Sequence, residues 1–476
     1  MKKNLLACAA LSALLSVTAL FAEETPVKSL HSYVLDNGLS VFVAENHSVP
    51  LAYIEIAVRC GAYTQTPENV GVFHLYEHMM FKGNSLYKDA AAVVRATSDM
   101  GAYGRNGTTD IETVNYFFTV PSALTEQGLR FWSAAVRTPT LDKKEFENEK
   151  KVVIAEINGQ ASDPGYRSLK EKYRLFFADS PWTTDPAGTE ASIKAATVKQ
   201  LKEIQKKYYI PNNAALFVGG DVNPDEVRDM AERIFGSWKR GKAPFADGTV
   251  RHPAAPFDAP VLRVMPYDKL SPELADIHVE FRGPDAAHNE ADTYAADILS
   301  SLIAEPSGLF KRTLSEDPLL GLPDADYTSG GYHTRRTCGL FSFSAMVVSP
   351  EQDIAERALY FAEKLPLLMQ SVSSAADSES LAALCRRLED DAVIQRQTAK
   401  GLLSSLRFWW AVTGEDYYYT YNQNMAKVDS AVLSAFCRAY FDGKNPLVTL
   451  YVHPSVYEKT KEQFSARGFF VSGGVQ

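Results

Sequence analysis

Two histidines and a glutamate stand close together in the segment from Gly71 to Gly83, where the sequence reads GVFHLYEHMMFKG. On an α-helix of about 3.6 residues per turn, His74 and His78 lie one turn apart and Glu77 lies beside them on the same face. Two neutral imidazoles suit a zinc ion, and a carboxylate beside them can take a proton from water whose pKa the metal lowers to about 7. The order is the reverse of H-E-x-x-H and predicts the same chemistry.

A pair of histidines and a glutamate can also be ordinary core or surface residues, and catalytic zinc usually has three protein ligands and one open position. A further ligand must therefore come from elsewhere in the chain. In the segment from Asp142 to Glu156, Asp142 and Glu145 form a capping-box pattern that begins a helix. Glu149 and Glu156 lie two turns apart on one face, whereas Glu145 and Glu147 are expected to be solvated. Spacing alone does not choose Glu156 from its neighbours.

The elements that must position these side chains follow from the pattern of apolar residues and turns. Residues 31–46 predict two strands about the turn Asp36-Asn37-Gly38, and alternating apolar residues predict a third strand from Leu51 to Val58. Asn69 and Gly83 are expected to cap the helix that carries the histidines. Further patterns predict two helices and a strand, at 142–160, 197–209 and 116–120. Strands and helices in such runs indicate an α+β architecture.

The composition is that of an ordinary globular protein. The chain has 476 residues, 46% of them hydrophobic and 22% charged, which excludes disordered, collagen-like and coiled-coil proteins. The net charge of −9 opposes attraction to a phosphate backbone, so no nucleic-acid partner is expected. The four cysteines beyond the N-terminal segment form no short metal-binding pair and are interpreted as buried thiols, with a disulfide as the alternative: Cys60, Cys338, Cys385 and Cys437.

The N-terminal segment predicts an export signal. Lys2 and Lys3 precede an apolar run, which ends in small residues suited to cleavage after Ala19 or Ala22. An uncleaved membrane anchor is the alternative, although the run is shorter than the roughly 20 apolar residues that a spanning helix needs.

The chain divides into two halves of related pattern. Residues 239–260 are rich in Pro, Gly and Ala without apolar periodicity, which is typical of a linker. On either side, aromatic residues, a turn, an apolar strand and a proline follow one another, ending at Pro224 and Pro454, which suggests two copies of one domain. We therefore expect a signal peptide at 1–22, an N-terminal domain with the metal motif at 31–240, a linker at 241–260 and a C-terminal domain of related fold without the motif at 261–476.

The metal motif and the predicted helix at 142–160 together resemble the pitrilysin and insulinase family of zinc peptidases. Within it, the chain is similar to the two-domain type that includes the mitochondrial processing peptidase and its bacterial relatives. The family's H-x-x-E-H is followed further along the chain by a helix of the form E-x-E-(x)6-E, which the predicted helix matches. The resemblance implies that one zinc ion per chain is bound by His74, His78 and Glu156, with Glu77 as the general base. It also implies that Glu149 does not bind the zinc itself but supports the residues that do.

The similarity extends to other segments of the first half, at 61–63, 81–83, 106–109, 115–117, 187–189 and 209–213. In the family, the residue that matches Asn106 touches the substrate backbone, although a turn-forming Asn would look the same locally. The second half fits more loosely. There the family often has an Arg and a Tyr that reach the substrate carbonyl; Leu314 stands at the Arg position, and Tyr327 can match the Tyr or be a packed or surface residue.

The resemblance implies an α+β fold of two similar domains, each a mixed, mostly antiparallel sheet packed with helices, that form half of a clamshell. It implies an exported zinc endopeptidase that cleaves unfolded or extended peptides bound along a sheet edge. The expected location is the periplasm. Water activated by Glu77 would attack the scissile carbonyl. The alternatives are a peptide-binding or partner-activated subunit of a heterodimeric peptidase, a homodimer, and a structural metal site in a binding protein of the cell envelope.

Overall fold

The computed structural model describes residues 30–177, 186–245, 257–337 and 339–471. Within these ranges, the strands form two six-stranded sheets, one from each half of the chain, and helices pack against both. The predicted α+β fold with two similar domains is therefore confirmed.

The first sheet has the strand order β1-β2-β6-β3-β5-β4. Strands β2 and β6 are parallel, and the other neighbours are antiparallel. Its strands are β1 (Leu30–Val34), β2 (Ser40–Glu45), β3 (Leu51–Val58), β4 (Tyr103–Thr109), β5 (Val114–Pro121) and β6 (Ala214–Gly220). The helices of this half are α1 (Val72–Met79), α2 (Ala90–Asp99), α3 (Thr125–Arg137), α4 (Lys143–Ala161), α5 (Pro164–Phe176), α6 (Glu190–Ala195), α7 (Val198–Tyr208) and α8 (Pro224–Phe235).

The second sheet has the strand order β12-β7-β11-β8-β10-β9. Its strands are β7 (Val261–Pro266), β8 (Leu274–Arg282), β9 (Thr328–His333), β10 (Leu340–Val348), β11 (Leu447–Val452) and β12 (Phe470–Val471). The helices of this half are α9 (Glu290–Ala304), α10 (Leu309–Ser315), α11 (Ile354–Ala375), α12 (Ser378–Gln395), α13 (Ala399–Val412), α14 (Glu415–Met425), α15 (Ser430–Tyr440) and α16 (Pro454–Ala466).

Five strands of each sheet share one topology. The parallel pair β2 and β6 corresponds to β7 and β11, and the antiparallel run β6-β3-β5-β4 corresponds to β11-β8-β10-β9. Pro224 and Pro454, which the sequence repeat aligns, each occupy the first turn of the helix that follows the strand β6 or β11. The two halves therefore have the same fold, as the repeat suggested.

Each half contributes one helix to the sheet of the other half. Helix α13 packs on the first sheet, where Leu403 and Leu406 join a buried cluster with Phe42 and Phe217. Helix α5 lies against the second sheet, where Phe176 joins a cluster with β-strand residues of the second half. Part of the second face of each sheet is thus packed by a helix of the other half, and these exchanged helices join the two domains.

The predicted elements near the site are present, but the predicted caps of α1 are wrong. The helix begins after Gly71, which has a φ of 78°, and ends at Met79 rather than at Gly83. A Cβ on Gly71 would lie 2.7 Å from the carbonyl oxygen of Ala187, so this close approach requires glycine. The Asn69 side chain instead accepts a hydrogen bond from the amide of Thr66, at 2.6 Å, and stabilises the preceding turn.

The remaining predictions about segments have mixed outcomes. The predicted signal at 1–22 lies outside the described residues, as do Cys8, Cys338 and residues 246–256 of the predicted linker. Cys60 and Cys437 are buried free thiols, and Cys385 is a partly exposed one. No helix in the described part of the chain combines the length and the apolar character that crossing a bilayer requires.

Candidate metal centre

Helix α1 presents the two histidines from a face that is fixed by the core. Phe73, Leu75 and Met79 on the same helix are buried, which holds α1 against the first sheet. His74 and His78 then lie side by side on the remaining face, with ring centroids 4.7 Å apart and ring planes at 82°. The imidazoles are therefore within reach of one ion.

Helix α4 brings the third donor. The side chain of Asp142 accepts hydrogen bonds from the amides of Lys144 and Glu145, each at 2.9 Å, so Asp142 caps the helix as predicted. The return hydrogen bond of a full capping box, from the Glu145 side chain, is not among the described contacts. The helix packs against α1 through buried residues that include Phe146 and Val153. As a result, Glu156 approaches the histidines.

The three predicted side chains converge. One donor atom from each of His74, His78 and Glu156 lies within 4.8 Å of the other two, and no other cluster of three or more His, Cys, Asp or Glu among the described residues meets this criterion. The separation of His78 Nε2 from Glu156 Oε2 is 3.6 Å, too long for a good hydrogen bond. Two ligands held about 2.1 Å from a tetrahedral zinc ion would lie about 3.4 Å apart. The donor set and its spacing thus fit a zinc ion.

Glu149 orients one imidazole. Its Oε2 lies 3.1 Å from Nδ1 of His78, and because an ionised carboxylate can only accept, Nδ1 carries the hydrogen. The lone pair of His78 is then on Nε2, the atom that faces Glu156. The Nζ of Lys82 lies 2.6 Å from the other carboxylate oxygen of Glu149. This arrangement is typical of the groups that hold a histidine ligand in place.

Glu77 lies beside the cluster and is buried. Thr109 Oγ1 on β4 donates a hydrogen bond to Glu77 Oε2 at 2.8 Å. A Cβ on Gly107 would lie 2.7 Å from Glu77 Oε1, so the β4 backbone packs directly against this carboxylate. Burial raises the pKa of Glu77, and the hydrogen bond from Thr109 opposes this rise.

Asn106 lies at an edge of the first sheet. It belongs to β4, the outermost strand, pairs with Phe117 and is exposed. Successive residues of a strand point to opposite faces, so the side chain of Asn106 points away from the face on which Gly107 meets Glu77. The exposed side chain of Asn106 therefore lies on the opposite face of the strand from Glu77 and makes no contact with the metal cluster among the described residues.

Tyr327 and Leu314 lie in the second half, and no described contact joins either of them to the metal cluster. Tyr327 ends a 3-10 turn that leads into the edge strand β9, and it is 39% exposed. Leu314 on α10 is fully buried in the core of the second half. Leu314, which the sequence resemblance matched to a family arginine, is thus a core residue.

The structure adds two residues that the sequence reasoning did not single out. Lys82 follows His78 by four residues, about one helical turn, so the sequence alone could have indicated that the two side chains lie on the same side. Thr109 carries no such local signal, because its contact with Glu77 depends on how β4 pairs with β5 and packs against α1.

Two protein-family models match the chain. The family model described as Insulinase (Peptidase family M16) matches residues 40–175, and the model described as Peptidase M16 inactive domain matches residues 195–378. The chain belongs to this insulinase family of peptidases. The metal cluster lies entirely within the first match. The second match begins at the end of α6, in the first half of the chain, and ends just after α11, in the second half.

Several relatives are named as zinc proteases. An uncharacterized zinc protease of Rickettsia felis is 25% identical over 208 residues, which are 44% of this chain and 50% of that protein. The zinc protease PqqE of Helicobacter pylori is 26% identical over 212 residues, 44% of this chain and 47% of that protein. The matched part of the chain thus spans about half the length of these relatives.

The fold is shared with solved structures. The first half of the periplasmic protease PqqL from Escherichia coli superposes with a TM-score of 0.72 at 19% sequence identity, covering 92% of this chain and 96% of that structure. At this level of identity the likeness shows the fold alone: two domains, each with a mixed six-stranded sheet and helices.

Proposed function

We propose that this chain is a zinc-dependent endopeptidase in which His74, His78 and Glu156 hold one zinc ion. The observation that carries the proposal is the convergence of these three donors within 4.8 Å, with the Glu77 carboxylate beside them and outside the donor set. Two neutral imidazoles and one carboxylate leave a bound Zn²⁺ with a net positive charge, which is what a hydrolytic centre requires.

When bound, zinc would polarise the scissile carbonyl and lower the pKa of water. The side chains of the protein transfer the proton and orient the reacting groups. Glu77 takes the proton from the attacking water and passes it to the leaving amine. Thr109 holds the Glu77 carboxylate in one orientation, and the β4 backbone at Gly107 packs against its other oxygen. Glu149 keeps the proton of His78 on Nδ1.

The substrate in this proposal is an extended peptide that pairs with β4. This strand is an edge of the first sheet and packs against α1, so a chain added beside it runs next to the metal cluster. Backbone pairing of this kind is tolerant of sequence and requires an unfolded segment. In this proposal Asn106, on the same strand, contacts the peptide backbone. We expect Asn106→Ala to raise KM while zinc affinity stays unchanged.

The test is cleavage of a mixed peptide library by the purified mature chain, with and without a chelator, followed by mass spectrometry. Glu77→Gln should retain zinc and lose hydrolysis by at least about a hundredfold, the lower range for removal of a general base. Glu147→Gln, at an exposed position of α4, is the matched control and should behave as wild type. Near-normal turnover by Glu77→Gln would contradict the proposal. Zinc-dependent melting without any cleavage would favour a structural metal site.

A partner-activated subunit is the second candidate, favoured by Leu314. Leu314 is buried, and the resemblance matches it to a position where the family often has an arginine. In this alternative, another chain of the same family supplies the cation that contacts the substrate and takes the role of Tyr327. Size-exclusion mass and a peptidase assay on the isolated chain separate the two cases. An inactive monomer that a second protein activates indicates a heterodimer, an active dimer indicates a homodimer, and an active monomer excludes both.

The proposed location is the periplasm. Its support is the export-signal pattern at 1–22 and the name of the similar PqqL structure, a periplasmic protease. Fractionation of cells that express the chain with and without residues 1–22 tests this. Only the full chain should reach the periplasm, and an equal distribution would contradict the proposal.

A further inference from the structure

Lys82 makes a contact that the peptidase chemistry does not by itself require. It lies just beyond the end of α1, one helical turn after His78, and its amide donates to the carbonyl of Met79 at 3.1 Å. This turn directs the side chain back toward α4, where it reaches Glu149. The Lys82 side chain is 25% exposed, so it is largely withdrawn from solvent.

The two oxygens of Glu149 have different partners. Oε1 lies 2.6 Å from Lys82 Nζ, and Oε2 lies 3.1 Å from His78 Nδ1. The carboxylate is therefore held at both ends, which fixes its rotation as well as its position. Three side chains form one continuous chain of contacts, from Lys82 through Glu149 to His78, and this chain ends at the metal cluster.

Because Glu149 is buried, its carboxylate needs a compensating cation, and Lys82 supplies one. The residue is only 5% exposed, and a carboxylate withdrawn from water is costly unless a cation or hydrogen-bond donors compensate it. His78 supplies one neutral donor when it binds a metal through Nε2. Lys82 is the side chain among the described residues that supplies a full positive charge to Glu149.

We propose that Lys82 is a positioning residue for the metal site: its ammonium fixes the Glu149 carboxylate, which in turn fixes the tautomer and the ring orientation of His78. This inference rests on the proposed zinc site and extends it by one residue. Lys82 touches neither the metal donors nor the substrate-facing edge, so its effect on the site passes through Glu149.

The test is the zinc affinity of the purified mature chain, measured by competition with a chromophoric chelator. Lys82→Met keeps the length of the side chain and removes its charge, and we expect zinc binding to weaken by about tenfold, the low end for partners of metal ligands. Lys82→Arg should stay within about threefold of wild type. Lys88→Met is the matched control, because Lys88 is close in the sequence, equally charged and 85% exposed. If Lys82→Met does not fold, Lys82→Gln replaces it.

A double-mutant cycle separates positioning from a general structural role. In a Glu149→Gln background, Lys82→Met should change zinc affinity by less than about twofold, because its effect has no route to His78. A tenfold loss that persists in that background would overturn the inference, as would an unchanged affinity in the single variant. Both outcomes leave the zinc site itself intact. A wild-type chain that binds no zinc would instead overturn the site and the inference together.

Discussion

Glu55 on β3 and Glu280 on β8 occupy the same position in the two sheets. Glu55 pairs with Phe217 on β6, and Glu280 pairs with Leu447 on β11. Phe217 and Leu447 each precede the proline of the following helix by the same number of residues. Both glutamates are completely buried.

Each of these glutamates meets a cation from the helix that the other half contributes. Arg407 on α13 places its Nε 2.9 Å from Glu55, and Lys172 on α5 places its Nζ 3.3 Å from Glu280. Glu55 also accepts hydrogen bonds from Tyr53 at 3.0 Å and from the Asn115 amide at 2.6 Å. Two reciprocal ion pairs therefore join the domains, and the one on the first sheet has more donors.

Removal of Arg407 should destabilise the protein strongly. Arg407→Met leaves the Glu55 carboxylate buried without a cation, and we expect a loss of about 3–5 kcal/mol in the free energy of unfolding, measured with urea. Adding Glu55→Gln to this variant should recover part of the loss, because it removes the uncompensated charge. Arg386→Met, at an exposed position of α12, is the control. A double variant no more stable than Arg407→Met would show that the ion pair is not the cause.

The stability of the second half should depend on pH through Asp297 on α9. Tyr421 donates a hydrogen bond to it at 2.7 Å, and burial raises the pKa of Asp297 to about 7. An acid whose pKa is higher in the folded state contributes stability below its unfolded pKa of about 4, and this contribution is lost as the pH rises through about 7.

Asp297→Asn should abolish that dependence. The melting temperature of the variant relative to wild type is expected to rise as the pH increases from 4 to 8 in a set of thermal melts. Asp416→Asn, at an exposed position of α14, is the matched control. A constant difference between Asp297→Asn and wild type across this range would contradict the prediction.

Glu156→Gln should weaken zinc binding by more than about a hundredfold, above the range for residues that only support a ligand. An amide is a poor zinc ligand, so only two donors of the cluster remain. The measurement is chelator competition, with Glu147→Gln as the control on the same helix. Equal zinc affinities for the two variants would remove Glu156 from the donor set.

Thr109→Val should slow catalysis without affecting metal binding. The substitution keeps the shape of the side chain and removes the hydrogen bond to Glu77, and hydrogen bonds to charged groups contribute about 1.5–3 kcal/mol. We expect kcat to fall by about tenfold or more, with zinc affinity and KM unchanged. Thr108→Val, on the opposite face of β4, tests whether any threonine loss in this strand has the same effect.

The parts of the site that depend on local pattern could be predicted from the sequence. The helices α1 and α4 follow from periodicity and from the Asp142 cap, and the resemblance to the family pointed to Glu156. The cap at Asn69 was predicted wrongly because its side chain is used within the preceding turn, while the start of α1 is set by the packing of Gly71 against distant residues.

The contacts of Thr109 and Arg407 could not be predicted for a different reason. Thr109 reaches Glu77 only because β4 pairs at the sheet edge beside α1. Arg407 reaches Glu55 only because α13 crosses to the other domain. Both contacts arise from tertiary packing between segments far apart in the chain, and neither leaves a local signal.

The most direct test of the metal site is anomalous diffraction at the zinc absorption edge from crystals of the zinc-loaded chain. We predict one strong peak per chain, coordinated by His74, His78 and Glu156, with the Glu77 carboxylate near it but not bound. No peak at this position, or a peak only at sites elsewhere on the chain, would contradict the assignment of these three residues as zinc ligands.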